Sequence, residues 1–243
     1  MRGLVASETS RHSPPESPAP RPALRTWRDE RHLMHPKSQQ HAAIASAYDQ
    51  LADRWRDGTF NPDDGVEQFR RALRFLGEGE GWALNVGCGC NTRFNALLRA
   101  RELRLEGVDI SQRMIAMARR ADPAVLLQHA DVCAWRAQRG YRFIAAWDSI
   151  WHVDLGQQRA LMLKLMQALE PGGVFLFTAG GLDAEGSHVD SSMGVEVSYS
   201  TLGVPGLLAV VKQAGCVCRH LEFDQYPLKH LVVIVQRSAA IAA

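Results

Sequence analysis

The sequence predicts an α/β protein whose doubly wound, mostly parallel sheet has seven strands and follows an N-terminal helical extension. A short apolar run at residues 82–86 breaks at the glycine turn Gly87-Cys88-Gly89, and the pattern becomes helical past Asn91. From there, apolar runs and helical patterns alternate along the chain. This alternation is typical of a parallel sheet covered by helices on both faces.

The remaining elements follow from the same periodicities and from their breakers. Strands are predicted at residues 103–110, 125–130, 143–147, from 174, 217–223 and 231–236, and helices at about 39–57, 65–77, 111–123, 157–170 and 205–214. Ser111 is the expected N-cap of the third of these helices. The run Pro171-Gly172-Gly173 is expected to end the fourth, because proline stops a helix and glycine supplies positive φ.

Composition favours a globular protein with a small-molecule partner. The 243 residues, 46% of them hydrophobic and 22% charged, can bury a substantial core. Residues 1–40 carry seven of the 28 basic and four of the 26 acidic residues. The net charge is therefore +2 for the whole chain but −1 for residues 41–243. A nearly neutral body offers no electrostatic surface for a nucleic-acid backbone, and we predict no nucleic-acid partner.

The five cysteines do not suggest a disulfide framework. Cys88 and Cys90 lie in the glycine turn, and Cys216 and Cys218 alternate along a predicted strand. Structural zinc sites use wider spacing and four ligands, so we predict reduced thiols, no metal and a cytoplasmic location. No apolar run has the length of a membrane span and no signal peptide opens the sequence, so we predict no membrane partner.

Residues 1–38 are predicted to be a disordered tail, because prolines alternate there with Ser and Arg and little apolar surface is present. The prolines oppose the amphipathic helix of a transit peptide, and we hypothesise that translation begins at Met34. Residues 39–78 are expected to form a helical cap, in which Tyr48 and Trp55 share an apolar face.

The glycine turn predicts a ligand site. Glycine lets the backbone approach a ligand closely, and free N–H groups at a helix N-terminus favour polar or anionic groups. Twenty residues after Gly89, Asp109 stands where a carboxylate can accept hydrogen bonds from both hydroxyls of a ribose. A dinucleotide site needs Gly or Ala at position 92. Thr92 therefore makes an NAD-dependent reductase the weaker alternative.

Asn85, Gly87, Gly89 and Asn91 together resemble motif I of the class I S-adenosylmethionine-dependent methyltransferases, usually an acidic residue followed by three alternating glycines. The resemblance covers about residues 42–237. It implies a domain at residues 39–237 that binds S-adenosylmethionine and transfers its methyl group to an oxygen or nitrogen of a small molecule. Since Asn85 replaces the usual carboxylate, a non-catalytic S-adenosylmethionine-binding protein stays as an alternative.

The resemblance also implies which residues contact the cofactor. In the family an acid after the third strand faces adenine, as Asp131 would with Val132, although Asp131 could instead cap a short helix. The helical cap would cover the cofactor through Tyr48, which could equally be a core residue. The implied cofactor residues are Asn85, Gly87, Cys88, Gly89, Asp109, Ile110, Asp131, Val132, Asp148 and Tyr48.

The acceptor side is expected beyond the fourth strand, where Asp148 to His152 should lie beside the reacting centre. His152 is the candidate general base, or else a packing or positioning residue. Trp151 is a candidate wall of the substrate pocket, or a core aromatic.

A long insert at residues 181–203 is predicted to lie over the acceptor site, with His188 and Tyr199 as candidate substrate contacts. The alternative is a surface hairpin with solvated polar residues. As in the family, the last two strands are expected to pair antiparallel. His220 and His230 flank these strands and receive no functional role.

Overall fold

The structure is a computed structural model that describes residues 37–56 and 61–239. The predictions for the tail before Lys37 and for a start at Met34 lie outside these residues. The helices are α1 (Lys37–Arg56), α2 (Val66–Leu73), α3 (Asn95–Arg99), α4 (Gln112–Ala121), α5 (Leu155–Gln167) and α6 (Gly203–Gln213). The strands are β1 (Gly81–Val86), β2 (Leu103–Asp109), β3 (Leu126–His129), β4 (Tyr141–Ala146), β5 (Leu169–Gly180), β6 (Gly186–Asp190), β7 (Val197–Thr201), β8 (Cys216–Glu222) and β9 (His230–Arg237).

Seven of the strands form the predicted sheet, in the order β3-β2-β1-β4-β5-β9-β8. β1 to β5 run parallel, and β9 is antiparallel to both of its neighbours. The expected doubly wound fold and its antiparallel final pair are thus confirmed. The strand order reverses between β1 and β4, and the carboxyl ends of strands at such a point form a crevice for ligands.

The core lies on both faces of the sheet because consecutive residues of a strand point to opposite sides. Ile144 of β4 packs with Leu165 of α5 on one face, while the adjacent Phe143 packs with Phe69 of α2 on the other. All four side chains are fully buried. Burial on both faces explains why these strands are continuously apolar, and each large side chain contributes about 1.5–3 kcal/mol.

The structure corrects the expected end of α5. The run Pro171-Gly172-Gly173 does not stop this helix but lies inside β5, where Gly172 has φ +78°. The pairing of β5 with β4 shifts there from Tyr141↔Leu169 to Phe143↔Val174, so the run is a bulge. Leu169 is buried and already paired with Tyr141, which requires the helix to end before it.

The insert at 181–203 contains a separate antiparallel hairpin of β6 and β7. Strand β6 fits the alternative prediction of a surface hairpin, since its Val189 is 53% exposed. The other is buried, because Val197 and Tyr199 of β7 form a cluster with Ile44 of α1 and with Trp151. The hairpin and α1 therefore cover the carboxyl edge of the sheet together.

None of the helices in the described part of the chain combines the length and apolar character that a membrane crossing requires.

Candidate active site

The carboxyl ends of β1, β2 and β4 open into a cavity of about 250 Å³, bordered by α1 and by residues of the insert. It lies at the point where the strand order reverses, as expected for a ligand site in such a sheet. The predicted residues that line it are Tyr48, Asn85, Gly87, Cys88, Gly89, Asp109, Ile110, Asp131, Val132, Asp148, Trp151, His152 and Tyr199.

His188 is the exception among the predicted site residues, because it does not line the cavity. Its ring stacks on Tyr199 with the centroids 5.1 Å apart and the planes 14° from parallel. Tyr199 in turn contacts Trp151 at 6.0 Å between centroids. The structure therefore places His188 outside the lining of the cavity. His188 supports Tyr199 from behind, and Tyr199 forms the wall.

The glycine turn after β1 is tied to β2, since the N–H groups of Gly87 and Cys88 donate to Val108 O at 2.8 and 3.2 Å. Both glycines are left-handed, with φ +63° at Gly87 and +56° at Gly89. A Cβ on Gly87 would lie 2.3 Å from the Cβ of Ser149, whereas a Cβ on Gly89 would meet no atom within 4 Å. Gly87 thus allows close packing, and Gly89 leaves open the space that a bound group would fill.

Asp109 is fixed at the end of β2 by two backbone donors. Its Oδ2 accepts the N–H of Gly89 and its Oδ1 accepts the N–H of Ser111, both at 2.8 Å. Burial raises the pKa of Asp109, although both N–H groups favour the charged form. Each carboxylate oxygen has a second lone pair. The residue can therefore accept two more hydrogen bonds, as a ribose diol requires.

Asp131 connects the loop after β3 to the helical cap. Its Oδ1 accepts the N–H of Cys133 at 2.8 Å, and its Oδ2 accepts from Nδ1 of His41 in α1 at 2.7 Å. No helix follows Asp131, so the helix-cap alternative was wrong and the residue stabilises a turn. Within residues 37–56 and 61–239, the buried Nε2 of His41 has no hydrogen-bond partner, and His41 lines the cavity.

His41, Asp131 and Cys133 place potential metal-ligand atoms within 4.8 Å of one another. Burial raises the pKa of the Cys133 thiol to about 12. Since the thiolate is the metal-binding form, this sulfur is a poor ligand at neutral pH. The imidazole of His41 is also already hydrogen-bonded to Asp131, and we assign no metal site here.

The cap is held over the cavity by Asp49. Its Oδ1 accepts from Ser111 Oγ at 2.5 Å and from the N–H of Arg113 at 3.0 Å. Both donors belong to the N-terminus of α4, where a negative charge is favoured. Ser111 also caps this helix as predicted, accepting the N–H of Met114. These bonds place the neighbouring Tyr48 in the cavity wall.

His152 lies at the centre of a buried hydrogen-bond network. Its Nδ1 donates to Ser198 O at 2.9 Å, while its Nε2 accepts from Trp151 Nε1 at 3.0 Å and from the Tyr48 hydroxyl at 2.6 Å. Because Trp donates only and a carbonyl accepts only, these partners fix the neutral tautomer. Burial lowers the pKa of His152 to about 4. Both features argue against the predicted general base and favour the positioning alternative.

His230, to which the sequence analysis gave no role, is fully buried in the cavity wall. Its Nε2 donates to Asp148 Oδ1 at 2.9 Å, and its Nδ1 donates to Asp224 Oδ1. Burial alone would lower the pKa of His230, but the two carboxylates outweigh it and raise the pKa to about 9. The side chain is therefore an imidazolium at neutral pH, held between two acids.

Comparisons with known proteins agree with this geometry. Residues 83–173 match a family model described as "Methyltransferase domain". This part of the chain is therefore similar to methyltransferase domains, in agreement with the resemblance of its glycine turn to motif I. No curated protein sequence matches it.

Solved structures similar to this chain share its fold at low identity. One is the 1,6-didemethyltoxoflavin-N1-methyltransferase of Burkholderia thailandensis, with a TM-score of 0.66 and 15% identity over 85% of this chain and 92% of that one. Another is a sugar N-methyltransferase of a Streptoalloteichus species, with a TM-score of 0.61 and 16% identity over 88% and 99%. A third is the magnesium protoporphyrin IX methyltransferase of Synechocystis, with a TM-score of 0.61 and 12% identity over 86% and 100%.

Sequence reasoning missed several residues that line this cavity, among them His41, Trp147, Gln225 and His230. The topology of the sheet could have indicated that His230 lies at the site. Since β9 is antiparallel to β5, its first residue pairs with the last residue of β5, Gly180. The start of an antiparallel final strand therefore lies at the same edge as the carboxyl ends of the parallel strands.

Proposed function

We propose that the cavity binds S-adenosylmethionine and that the enzyme transfers its methyl group to a nitrogen or oxygen atom of a small-molecule acceptor. The observation that carries this proposal is the continuity of one cavity. It extends from the glycine turn and Asp109 to a second region lined by Asp148, Trp151 and Tyr199. A cofactor and an acceptor can thus be held side by side.

In this proposal the adenosine end is recognised by fixed polar groups. The Asp109 carboxylate, held by two N–H groups, accepts the ribose hydroxyls. The fit at the adenine end rests on His41, whose buried Nε2 is unpaired among the residues described and can accept from an exocyclic amine. Asn85 and the space beside Gly89 are assigned to the methionyl portion.

The bound cofactor supplies an electrophilic methyl group on a sulfonium. The task of the protein is then to place the acceptor atom opposite the sulfur and to exclude water. Trp151, Tyr199 and Tyr48 form an aromatic wall that suits both tasks, because aromatic faces attract cations. His152 holds this wall together through its bonds to Trp151 and Tyr48.

A calorimetric titration of the full chain with S-adenosylhomocysteine tests the cofactor assignment. Asp109→Ala is expected to weaken binding by roughly 10- to 100-fold, since hydrogen bonds to charged groups contribute about 1.5–3 kcal/mol. Glu80→Ala is the matched control, because Glu80 precedes the opposite end of β1 and its side chain is 79% exposed. Binding that survives Asp109→Ala unchanged would show that the ribose assignment is wrong.

Two further measurements distinguish the proposed methyltransferase from the reductase and from the non-catalytic binding protein. Binding of NADH in place of S-adenosylhomocysteine would support the reductase. Binding of S-adenosylhomocysteine without methyl transfer to any acceptor would support the non-catalytic alternative. That alternative was kept because Asn85 replaces the usual carboxylate. A cytoplasmic location is also part of the proposal, because all five cysteines are free thiols and fit a reducing compartment.

A further inference from the structure

The acceptor side of the cavity contains a carboxylate held in an unusual conformation. Asp148 has φ +50°, a left-handed value that is strained for a residue with a side chain. Its N–H donates to Thr178 Oγ1 at 2.8 Å, and its Oδ1 accepts from Nε2 of His230 at 2.9 Å. The strained backbone and both contacts direct the carboxylate to one position beside the cavity, where the side chain is 36% exposed.

A chain of buried hydrogen bonds holds this carboxylate from behind. Gln68 Nε2 donates to Asp224 Oδ2 at 3.2 Å, and the other oxygen of Asp224 accepts from His230. The side chains of His230 and Asp224 are only 2% and 8% exposed. Because both imidazole nitrogens face carboxylates, both carry protons. Asp148, His230 and Asp224 together therefore have a net charge of −1.

Next to Asp224, Gln225 presents a second polar group to the same cavity. Among the residues that the structure describes, none hydrogen-bonds its buried Nε2. Gln225 also lines the cavity. A buried donor without a partner is costly unless a ligand supplies an acceptor. The observation is independent of the Asp148 geometry and likewise indicates a polar ligand at this end.

We propose that the acceptor is a small amine whose nucleophilic nitrogen is bound by Asp148, and that Gln225 donates to an oxygen atom of the same molecule. His230 and Asp224 are positioning residues that hold Asp148. The inference rests on the proposed function and adds the chemical class of its acceptor.

Charge balance favours nitrogen over oxygen. In the transfer, the acceptor reacts as the free amine, which an ammonium forms by first releasing a proton to solvent. The nitrogen lone pair then forms the new C–N bond while the electron pair of the C–S bond stays on sulfur. The positive charge thus moves from the sulfonium to an ammonium, and no proton has to leave during the step. A carboxylate that accepts a hydrogen bond from this nitrogen stabilises the developing charge.

An alcohol would instead need a base, and the four titratable side chains nearest Asp148 on the acceptor side do not suit that role. Burial raises the pKa of Tyr48 and of Tyr199, with a smaller contribution from the Asp148 charge, so both phenols stay protonated. His152 has a pKa of about 4, and its Nε2 already accepts two hydrogen bonds. His230 is an imidazolium. An alkoxide would also be repelled by Asp148.

Binding of paired probes to the full chain, saturated with S-adenosylhomocysteine, tests the inference. We would measure the affinities of benzylamine and benzyl alcohol by ligand-observed NMR. Benzylamine is expected to bind at least about 10-fold more tightly, because the ammonium–carboxylate hydrogen bond is charge-assisted. Asp148→Asn and His230→Gln should remove this preference, and an unchanged far-ultraviolet circular dichroism spectrum reports that each variant is folded.

His220→Gln is the matched control, since His220 is the other histidine of the final strand pair and contacts Arg71 and Glu222 outside the cavity. For Gln225, phenylglycinamide adds a carbonyl beside the amine of benzylamine. We expect phenylglycinamide to bind about fivefold more tightly than benzylamine, because it gains one hydrogen bond from Gln225. This difference in affinity should disappear in Gln225→Leu.

Equal binding of the amine and the alcohol, no binding of either, or an amine preference that survives Asp148→Asn would overturn the inference while leaving the cofactor site intact. Failure of the unmutated protein to bind S-adenosylhomocysteine would instead remove the proposed function, and this inference with it.

Discussion

The two glycines of the turn after β1 offer a paired test, because a methyl group added at each meets a different environment. At Gly87 the added Cβ lies 2.3 Å from the Cβ of Ser149, so the Ser149 side chain must move. Its hydroxyl donates to Val86 O at 2.8 Å and would lose that bond. At Gly89 the added Cβ meets nothing within 4 Å and extends into the cavity.

The magnitudes follow from these contacts. Both substitutions place alanine in the left-handed region, at a cost of about 1–2 kcal/mol. Gly87→Ala adds the displaced Ser149 hydrogen bond, about 1 kcal/mol, and the steric overlap. We therefore expect Gly87→Ala to lower the free energy of unfolding by about 2–4 kcal/mol and Gly89→Ala by only about 1–2 kcal/mol. The binding of S-adenosylhomocysteine should follow the opposite order, with the larger loss in Gly89→Ala.

Urea unfolding and calorimetric titration of both variants measure these two quantities. Equal destabilisation would contradict the packing role of Gly87. Unchanged affinity for S-adenosylhomocysteine in a folded Gly89→Ala variant would show that the open space beside this glycine is not the cofactor site. Since the two variants differ only in which glycine receives the methyl group, general effects of an alanine in this turn cancel.

Three further predictions concern the acceptor side. With its pKa lowered from the ordinary 6.5 to about 4, His152 stabilises the fold above pH 6.5 and loses this contribution as pH falls toward 4. With its pKa raised to about 9, His230 contributes fully below pH 6.5 and loses the contribution as pH rises through 9. Urea unfolding at a series of pH values measures the free energy of unfolding. Its decrease from pH 6.5 toward 4 should be smaller in His152→Gln, and its decrease as pH rises through 9 should be smaller in His230→Gln. The same pH dependence in the variants and the unmutated protein would contradict the assigned charge states. Tyr48→Phe should destabilise the fold by about 1 kcal/mol in the same assay, because one hydrogen bond to His152 is lost; an unchanged urea midpoint would contradict the bond. His188→Ala should leave acceptor affinity within about twofold, whereas Tyr199→Ala removes a cavity wall and should weaken it about 10-fold; equal effects in an NMR titration would contradict their placement.

The cofactor half of the site could be predicted from the sequence because its parts are local. Gly87, Gly89 and Asp109 lie within 23 consecutive residues, in a strand, turn, helix and strand whose order fixes their positions at one edge of the sheet. The hydrophobic periodicities that predicted the sheet also gave the orientation of these residues, and all three line the cavity.

The acceptor half could not be predicted in the same way because its contacts join distant segments. His230 meets Asp148 across 82 residues, and Gln68 meets Asp224 across 156. His188 and Tyr199 pair across the hairpin and share one of its faces, so which of them lines the site depends on which strand packs against α1 and Trp151. No local sequence pattern fixed that packing. The bulge at Pro171-Gly172-Gly173 was likewise missed, because the same residues are typical of a turn.

The division between the two halves also has an energetic basis. Asp109 is held by backbone N–H groups that are part of the fold, so its position follows from the strand and turn alone. Asp148 is held by side chains, and a change of His230 or Asp224 can alter its position without disturbing a ladder of the sheet. A site built in this way permits the acceptor to change while the cofactor site is kept. Substitutions in the β8–β9 turn should therefore alter acceptor choice before they affect folding or cofactor binding.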